Sequence, residues 1–360
     1  MRTPTGAASQ LLEQVARRFP LIPRDRPTLP PLAQQLADIA ALARTPLDHP
    51  DAAVRIAAAH NKAALVASNG GHDDLARALC WQHHHRYADR QPWTAVLARR
   101  ALEPVVNLAR LHIRAGHPDI AVEALGSLLS AVSQGGITKI DGYPIDLGNT
   151  IATPDDRAEI RRWIWTVTLA EGVRAFARVG RWNDALAHAR YHRGIGATLL
   201  DGRQIAIIAH GLRGDHAHAT TMLATTMPAQ PWQQTVAYLL SLLISRRSGV
   251  TAPHDANQLI DPQHTAGQTP TAAVFGLEVQ LATLELVDEP ARAAVLAELI
   301  RITAATTDAS IARTVVTHPA RRHLPAALLD HLTAVHNLAT TSPAAGSLGD
   351  ALADALAGHP

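Results

Sequence analysis

The sequence predicts an all-α chain: a right-handed α-solenoid of antiparallel helix pairs with one inserted hairpin-like loop. Three observations carry that expectation. A glycine, four residues and an alanine recur as Gly71-HDDL-Ala76, Gly116-HPDI-Ala121, Gly180-RWND-Ala185 and Gly214-DHAH-Ala219. Each copy lies between stretches whose apolar residues return at helical spacing. Alanine, the best helix former, is used heavily, and β-branched alternating runs are nearly absent. In each copy the glycine relieves the backbone where one helix stops, and the alanine sits where the next helix presses closest on it.

Taken in order, residues 7 to 19 suit a short amphipathic helix, and the proline-rich run from Pro20 to Pro31 cannot be helical, so it reads as a boundary or an extended strap. Helical patterning resumes from Leu32 to Arg44. Asp51 is placed as the N-cap of the first repeat helix. The repeats extend to about residue 232, with an excess segment between 133 and 157. There Asp141-Gly142 stands between two short apolar-polar runs, a strong signal for a tight hairpin turn with Pro144 at an edge. Beyond Trp232 helices are expected over 235–247, 272–287, 290–305 and 324–339, with a looser stretch over 248–270 and a short helix with a frayed end after Ser342. The resulting organisation is 1–31, an N-terminal helix and connector; 32–232, helical repeats; and 233–360, C-terminal helices or cap.

Gly180 and Gly214 are 34 residues apart, the tetratricopeptide period, and the wider gaps before Gly116 and Gly180 hold the two polar insertions. With Leu108, Ala109, Ala121 and Leu125 in the second copy, and Ala219, Leu223 and a terminating Pro231 in the fourth, residues 50–232 resemble the tetratricopeptide-repeat family in degenerate form. The resemblance implies a binding protein whose first helices line a groove.

With the repeat phase fixed by the glycines, the groove-facing positions are Asn61, Asn69, Arg110, Arg114, Arg174, Arg178 and Gln204. Arginine pairs four residues apart share a helix face and suit carboxylates or phosphates, which guanidinium binds bidentately. The plainer alternative is that they complement helix C-terminal dipoles and solvate the surface. Asp141, Gly142 and Tyr143 would form a lid if the hairpin projects over the binding face; otherwise it caps a gap between repeats. His83, His84 and His85 point about 100° apart in turn and cannot share one metal ion, which leaves a solvated or partner-facing stretch. His216 and His218 with Asp215 lack a fourth donor, so no metal and no cofactor are expected. Cys80 reads as a buried packing thiol, and Trp163, Trp165 and Trp182 as core filling or ligand anchors.

A net charge of +2 with histidine neutral lacks the basic field of a nucleic-acid binder, and no helix-turn-helix precedes residue 50, so direct DNA binding is not expected. No stretch approaches a membrane span, the N-terminus has no apolar signal region, and one cysteine permits no intramolecular disulfide, which points to the reduced cytoplasm. No nucleophile elbow, phosphate loop or dinucleotide fingerprint occurs. The expectation is an adaptor, chaperone or regulatory module that binds a peptide or protein partner, an acidic peptide among the candidates. Two alternatives stand beside it: a ligand-responsive regulator without its own DNA-binding domain, and an enzyme or biosynthetic accessory on a helical scaffold.

Overall fold

The computed structural model describes residues 6–24, 28–249, 273–289, 291–341 and 343–357. These residues form an α-solenoid-like array of antiparallel helix pairs with one two-stranded hairpin. The helices are α1 (Gly6–Arg17), α2 (Leu32–Ala43), α3 (Ala52–Asn69), α4 (Asp73–His85), α5 (Ala95–Arg114), α6 (Pro118–Gln134), α7 (Pro154–Arg178), α8 (Trp182–Tyr191), α9 (Asp201–Leu212), α10 (His216–Ala224) and α11 (Pro231–Ser248). They continue as α12 (Ala273–Leu286), α13 (Ala291–Thr303), α14 (Ala309–Val316), α15 (Ala326–Thr340) and α16 (Ala345–Leu356). Helix α14 and the 3-10 turn Pro319–His323 lie in a stretch where the sequence pattern suggested no separate element. The stretch over 250–272 lies outside the described residues.

All four predicted turns are present, and one device makes them. Gly71, Gly116, Gly180 and Gly214 adopt φ of 81°, 80°, 80° and 89°. At each, the glycine N–H donates three residues back and the next N–H five residues back; His72 to Ala67 and Gly71 to Ser68 are one such pair. That is the Schellman arrangement, which satisfies the last carbonyls of the first helix and reverses the chain. Ala76, Ala121, Ala185 and Ala219 are then completely buried, as close helix crossing requires. Asp51 occupies the N-cap position of α3, but its carboxylate makes no capping bond.

The chain forms two compact units. Unit I comprises Pro30–Ala175 and Leu338–Pro360; unit II comprises Met1–Leu29 and Phe176–Asn337. The divisions fall next to the proline-rich connector, inside α7 and inside α15, and not near residue 232.

In unit I, α2 to α6 pack in chain order, and α16 returns to lie on α2 and α3. Leu348 and Leu352 are buried in the same core as Ile39, Ala63, Leu102 and Leu125. Gln35 Nε2 donates to Pro30 O at 2.7 Å and Ala339 O at 3.1 Å, holding the two ends of the unit together. The two insertions that lengthen the repeat spacing pair with each other: Trp93 N donates to Thr150 O and Ala152 N to Trp93 O.

In unit II, α8 to α11 pack as successive neighbours, and α12 is covered by α13, α14 and the 3-10 turn. The described parts of the connector on either side of residues 25–27 are tied to this unit. Gln204 Nε2 donates to Leu21 O at 2.6 Å, and Leu29 exchanges bonds with Asp308 and Ala309.

Candidate functional site

The insertion after α6 folds as β1 (Ile137–Ile140) and β2 (Tyr143–Asp146), antiparallel, with Ile140 opposite Tyr143. The two turn residues, Asp141 at φ 48° and Gly142 at φ 88°, are both in the left-handed region, the conformation of the tight turn that Asp-Gly favours. Cross-strand partners share a face, so Thr138, Ile140, Tyr143 and Ile145 point the same way. Thr138, Ile140 and Ile145 are buried beneath the hairpin, while Tyr143, at the tip, overhangs α4 and is 50% exposed.

The tip is fastened from two helices. Asp141 Oδ1 accepts from His112 Nε2 of α5 at 2.9 Å, and Oδ2 accepts from Arg77 Nη1 of α4 at 3.3 Å. Beside this latch the Tyr143 ring packs on Trp81 with centroids 4.7 Å apart, and His85 stacks on Trp81 at 5.9 Å. The hairpin and α4 thereby form an open cleft of about 770 Å³ lined by Asp74, Arg77, Ala78, Trp81, Gln82, His85, Arg86, Asp141 and Tyr143. Its α4 wall is one helix stripe, with residues returning every three or four positions. Asp74 and Arg86 mark its ends, about 18 Å apart along the helix axis. Neither side chain makes a hydrogen bond or ion pair among the described residues, so the cleft is an aromatic saddle between one free carboxylate and one free guanidinium.

Several of the predicted groove residues are engaged within the helical array. Gln204 is completely buried and its amide holds Leu21 O and Leu199 O, so it is a core and strap-binding residue and not a groove residue. Arg110 Nε donates to Glu171 Oε1 at 3.0 Å and Nη1 to Asn107 Oδ1 at 2.9 Å, while Asn107 Nδ2 donates to Asn61 Oδ1 at 3.2 Å. Asn61 of α3 is thus engaged by α5, and Arg110 of α5 by α7 and by its own helix. Arg114 Nη1 reaches Ser68 Oγ at 2.7 Å, and half-buried Asn69 is the last residue of α3. Arg174 falls in unit I and Arg178 in unit II.

The histidine run divides as helical geometry demands, but not all of it is solvated. His83 is buried and stacks on His60 at 5.0 Å, and burial holds their pKa values down at about 3 and about 4. His84 Nδ1 contacts Ala101 O, and only His85 faces the cleft. The Cys80 thiol is buried, which pushes its pKa up to about 12. Of the tryptophans, Trp182 is buried, Trp163 carries the Arg99 guanidinium 5.4 Å from its ring, and Trp165 is exposed. Among the described residues no group of three or more metal-ligating side chains converges, and no helix is long and apolar enough to cross a membrane.

The hairpin was legible in the sequence, but the α4 stripe beside its tip was not. The histidine run from Trp81 to His85 was visible, yet the hairpin that forms a cleft with it is anchored through contacts 29 and 64 residues apart in the chain. The chain matches no family model, no curated protein and no solved structure.

Proposed function

We propose that this chain is a helical-repeat binding protein, tetratricopeptide-like in its helix pairs, that takes a peptide or protein segment into the cleft between α4 and the hairpin tip. The observation that carries the proposal is the combination of aromatic saddle and unengaged charges in one cavity. Trp81 and Tyr143 offer the apolar anchor site, Gln82 and His85 offer polar contacts, and Asp74 and Arg86 fix direction. Such cavities, mostly apolar with a few placed polar groups, are where segments are recognised. The Trp81 indole N–H is buried without an acceptor among the described residues, a donor that an inserted carbonyl would satisfy. The adaptor, chaperone and regulatory roles all use such a site, and the reduced cytoplasm suits a chain with a single buried thiol.

The test is selection of random twelve-residue peptides on the intact chain, followed by titration of the enriched peptides against Tyr143→Ala and Arg86→Ala. Both residues are exposed, so the fold survives their loss. Affinity is expected to fall at least tenfold in each, about 1.4 kcal/mol. Enriched peptides that bind both variants as tightly as the parent would remove the cleft from consideration.

A further inference from the structure

Unit II carries a second, chemically different feature where the end of α1 meets the α7–α8 turn. The guanidinium of Arg17 rests on Gly180: a Cβ built there would lie 2.6 Å from Arg17 Nε and Nη2. The absence of a side chain at Gly180 therefore makes room for this arginine, and Arg178 stands two residues earlier on the last turn of α7. Arg18 follows Arg17 in the chain. The charged groups that bear on Arg18, which lower its pKa after burial has done so, are Arg178 and Arg17, both cations. None of the three guanidinium groups makes a hydrogen bond or ion pair among the described residues.

A buried histidine adjoins the same cluster. His318 is 3% exposed, and its Nδ1 accepts from Ala320 N at 3.1 Å. An accepting Nδ1 carries no proton, so the neutral ring has its proton on Nε2. That Nε2 is buried and has no hydrogen-bond partner. Burial, then Arg18, then Arg322 hold the ring neutral, with its pKa at about 3. Arg322 is neutralised by Glu285 through two contacts, whereas among the described residues no carboxylate is paired with Arg17, Arg18 or Arg178.

We infer that Arg17, Arg18 and Arg178, close to His318, form a site for a small oxyanion such as a phosphate group. Three guanidinium groups with no counter-charge among the described residues repel one another, and a phosphate relieves that repulsion while accepting several charge-assisted hydrogen bonds. Arginine suits this role because its planar fork matches phosphate oxygens. Inorganic phosphate and a phosphate monoester present the same dianion, so the recognised chemistry is the group itself.

The experiment is a thermal melt of the full chain in sodium phosphate and in sodium chloride of equal ionic strength, with calorimetric titration of inorganic phosphate and of ribose 5-phosphate. Phosphate is expected to raise Tm beyond chloride. Arg18→Gln and Arg178→Gln should each weaken phosphate binding on the order of tenfold, as loss of one charged hydrogen-bonding group does. Arg301→Gln removes the same charge from an exposed pair with Glu298 elsewhere on the unit and should leave binding unchanged. Phosphate also stabilises proteins by exclusion from their surface, and that general effect would persist in all three variants. Equal responses in Arg178→Gln and the parent therefore overturn the site. If the glutamine variants fold poorly, the His318 imidazole signal in the parent's nuclear magnetic resonance spectrum decides: it should move on phosphate addition, and an unmoved signal overturns the proposal. Binding of inorganic phosphate but not the ester would mark a closed site for the free ion; binding of both marks an open one.

Discussion

At the residue scale Asp141 does two jobs, one conformational and one electrostatic. Its positive φ is tolerated because a short polar side chain suffers little in that region, and its carboxylate latches the hairpin to Arg77 and His112. Asparagine keeps the first property and loses the charge. Asp141→Asn is therefore expected to retain the turn but lose about 1–3 kcal/mol in urea unfolding, and to weaken any peptide that needs Tyr143 held over Trp81. An unchanged midpoint would show the latch to be energetically idle. The buried histidines give a pH dependence of definite sign. Above pH 6.5 His60 and His83 are neutral in both states and contribute nothing. Below it the unfolded chain takes up protons that the folded chain refuses, because folded pKa values stand at about 4 and about 3. Stability should fall with decreasing pH, by about 1.4 kcal/mol per pH unit per histidine, until those folded values are reached. Urea melts between pH 7.5 and 5, above most carboxylate titration, read this directly, and His83→Gln should flatten the slope.

At the element scale the glycines separate backbone strain from steric conflict. An added Cβ at Gly71 meets nothing within 4 Å, yet φ there is +81°. Gly71→Ala should cost about 1–2 kcal/mol through conformation alone. Gly126 sits within α6, also with open space around it but ordinary helical backbone, so Gly126→Ala should stabilise by about 0.5–1 kcal/mol. Gly202, in the first turn of α9, is the third case: its Cβ would collide with the backbone carbonyl of Gly194, which cannot swing aside as a side-chain tip would. Gly202→Ala should cost about 3 kcal/mol or more. Thermal and urea melts of the three variants should rank Gly126, Gly71 and Gly202 in that order, and any other order would mean the turns are not set by backbone preference.

At the scale of the whole molecule, the C-terminal helix closes unit I. Leu348 and Leu352 are buried beside residues of α2 and α3, some 300 residues earlier in the chain. Leu352→Ala should cost about 2–5 kcal/mol, the range for a large-to-small change in a packed core. Removing α16 altogether should expose Leu32, Leu36 and Ile39, with increased amide exchange across α2 and α3. If exchange there stays at the parent level, α16 is an appendage and not part of the core.

How much of this was readable from the chain depends on the range of the interaction. The helix turns were legible because each is written within six residues: glycine takes the positive φ, the neighbouring amides cap the helix, and alanine permits the crossing. The Asp-Gly hairpin was legible for the same reason, since its turn chemistry is local. Tertiary structure alone decided where polar side chains found partners. Arg110 looked like a groove cation until Glu171, 61 residues away, took its charge, and Gln204 looked like a groove amide until the strap at Leu21 claimed it. His83 looked solvated because its neighbours in sequence are polar, yet helical geometry turned it toward His60. The cleft itself was invisible because it needs Trp81 from α4, Tyr143 from the hairpin and a latch from α5. Backbone preference acts over a few residues and is encoded where it acts, whereas a side chain's partner is fixed by which distant segments the packed core brings within hydrogen-bond reach.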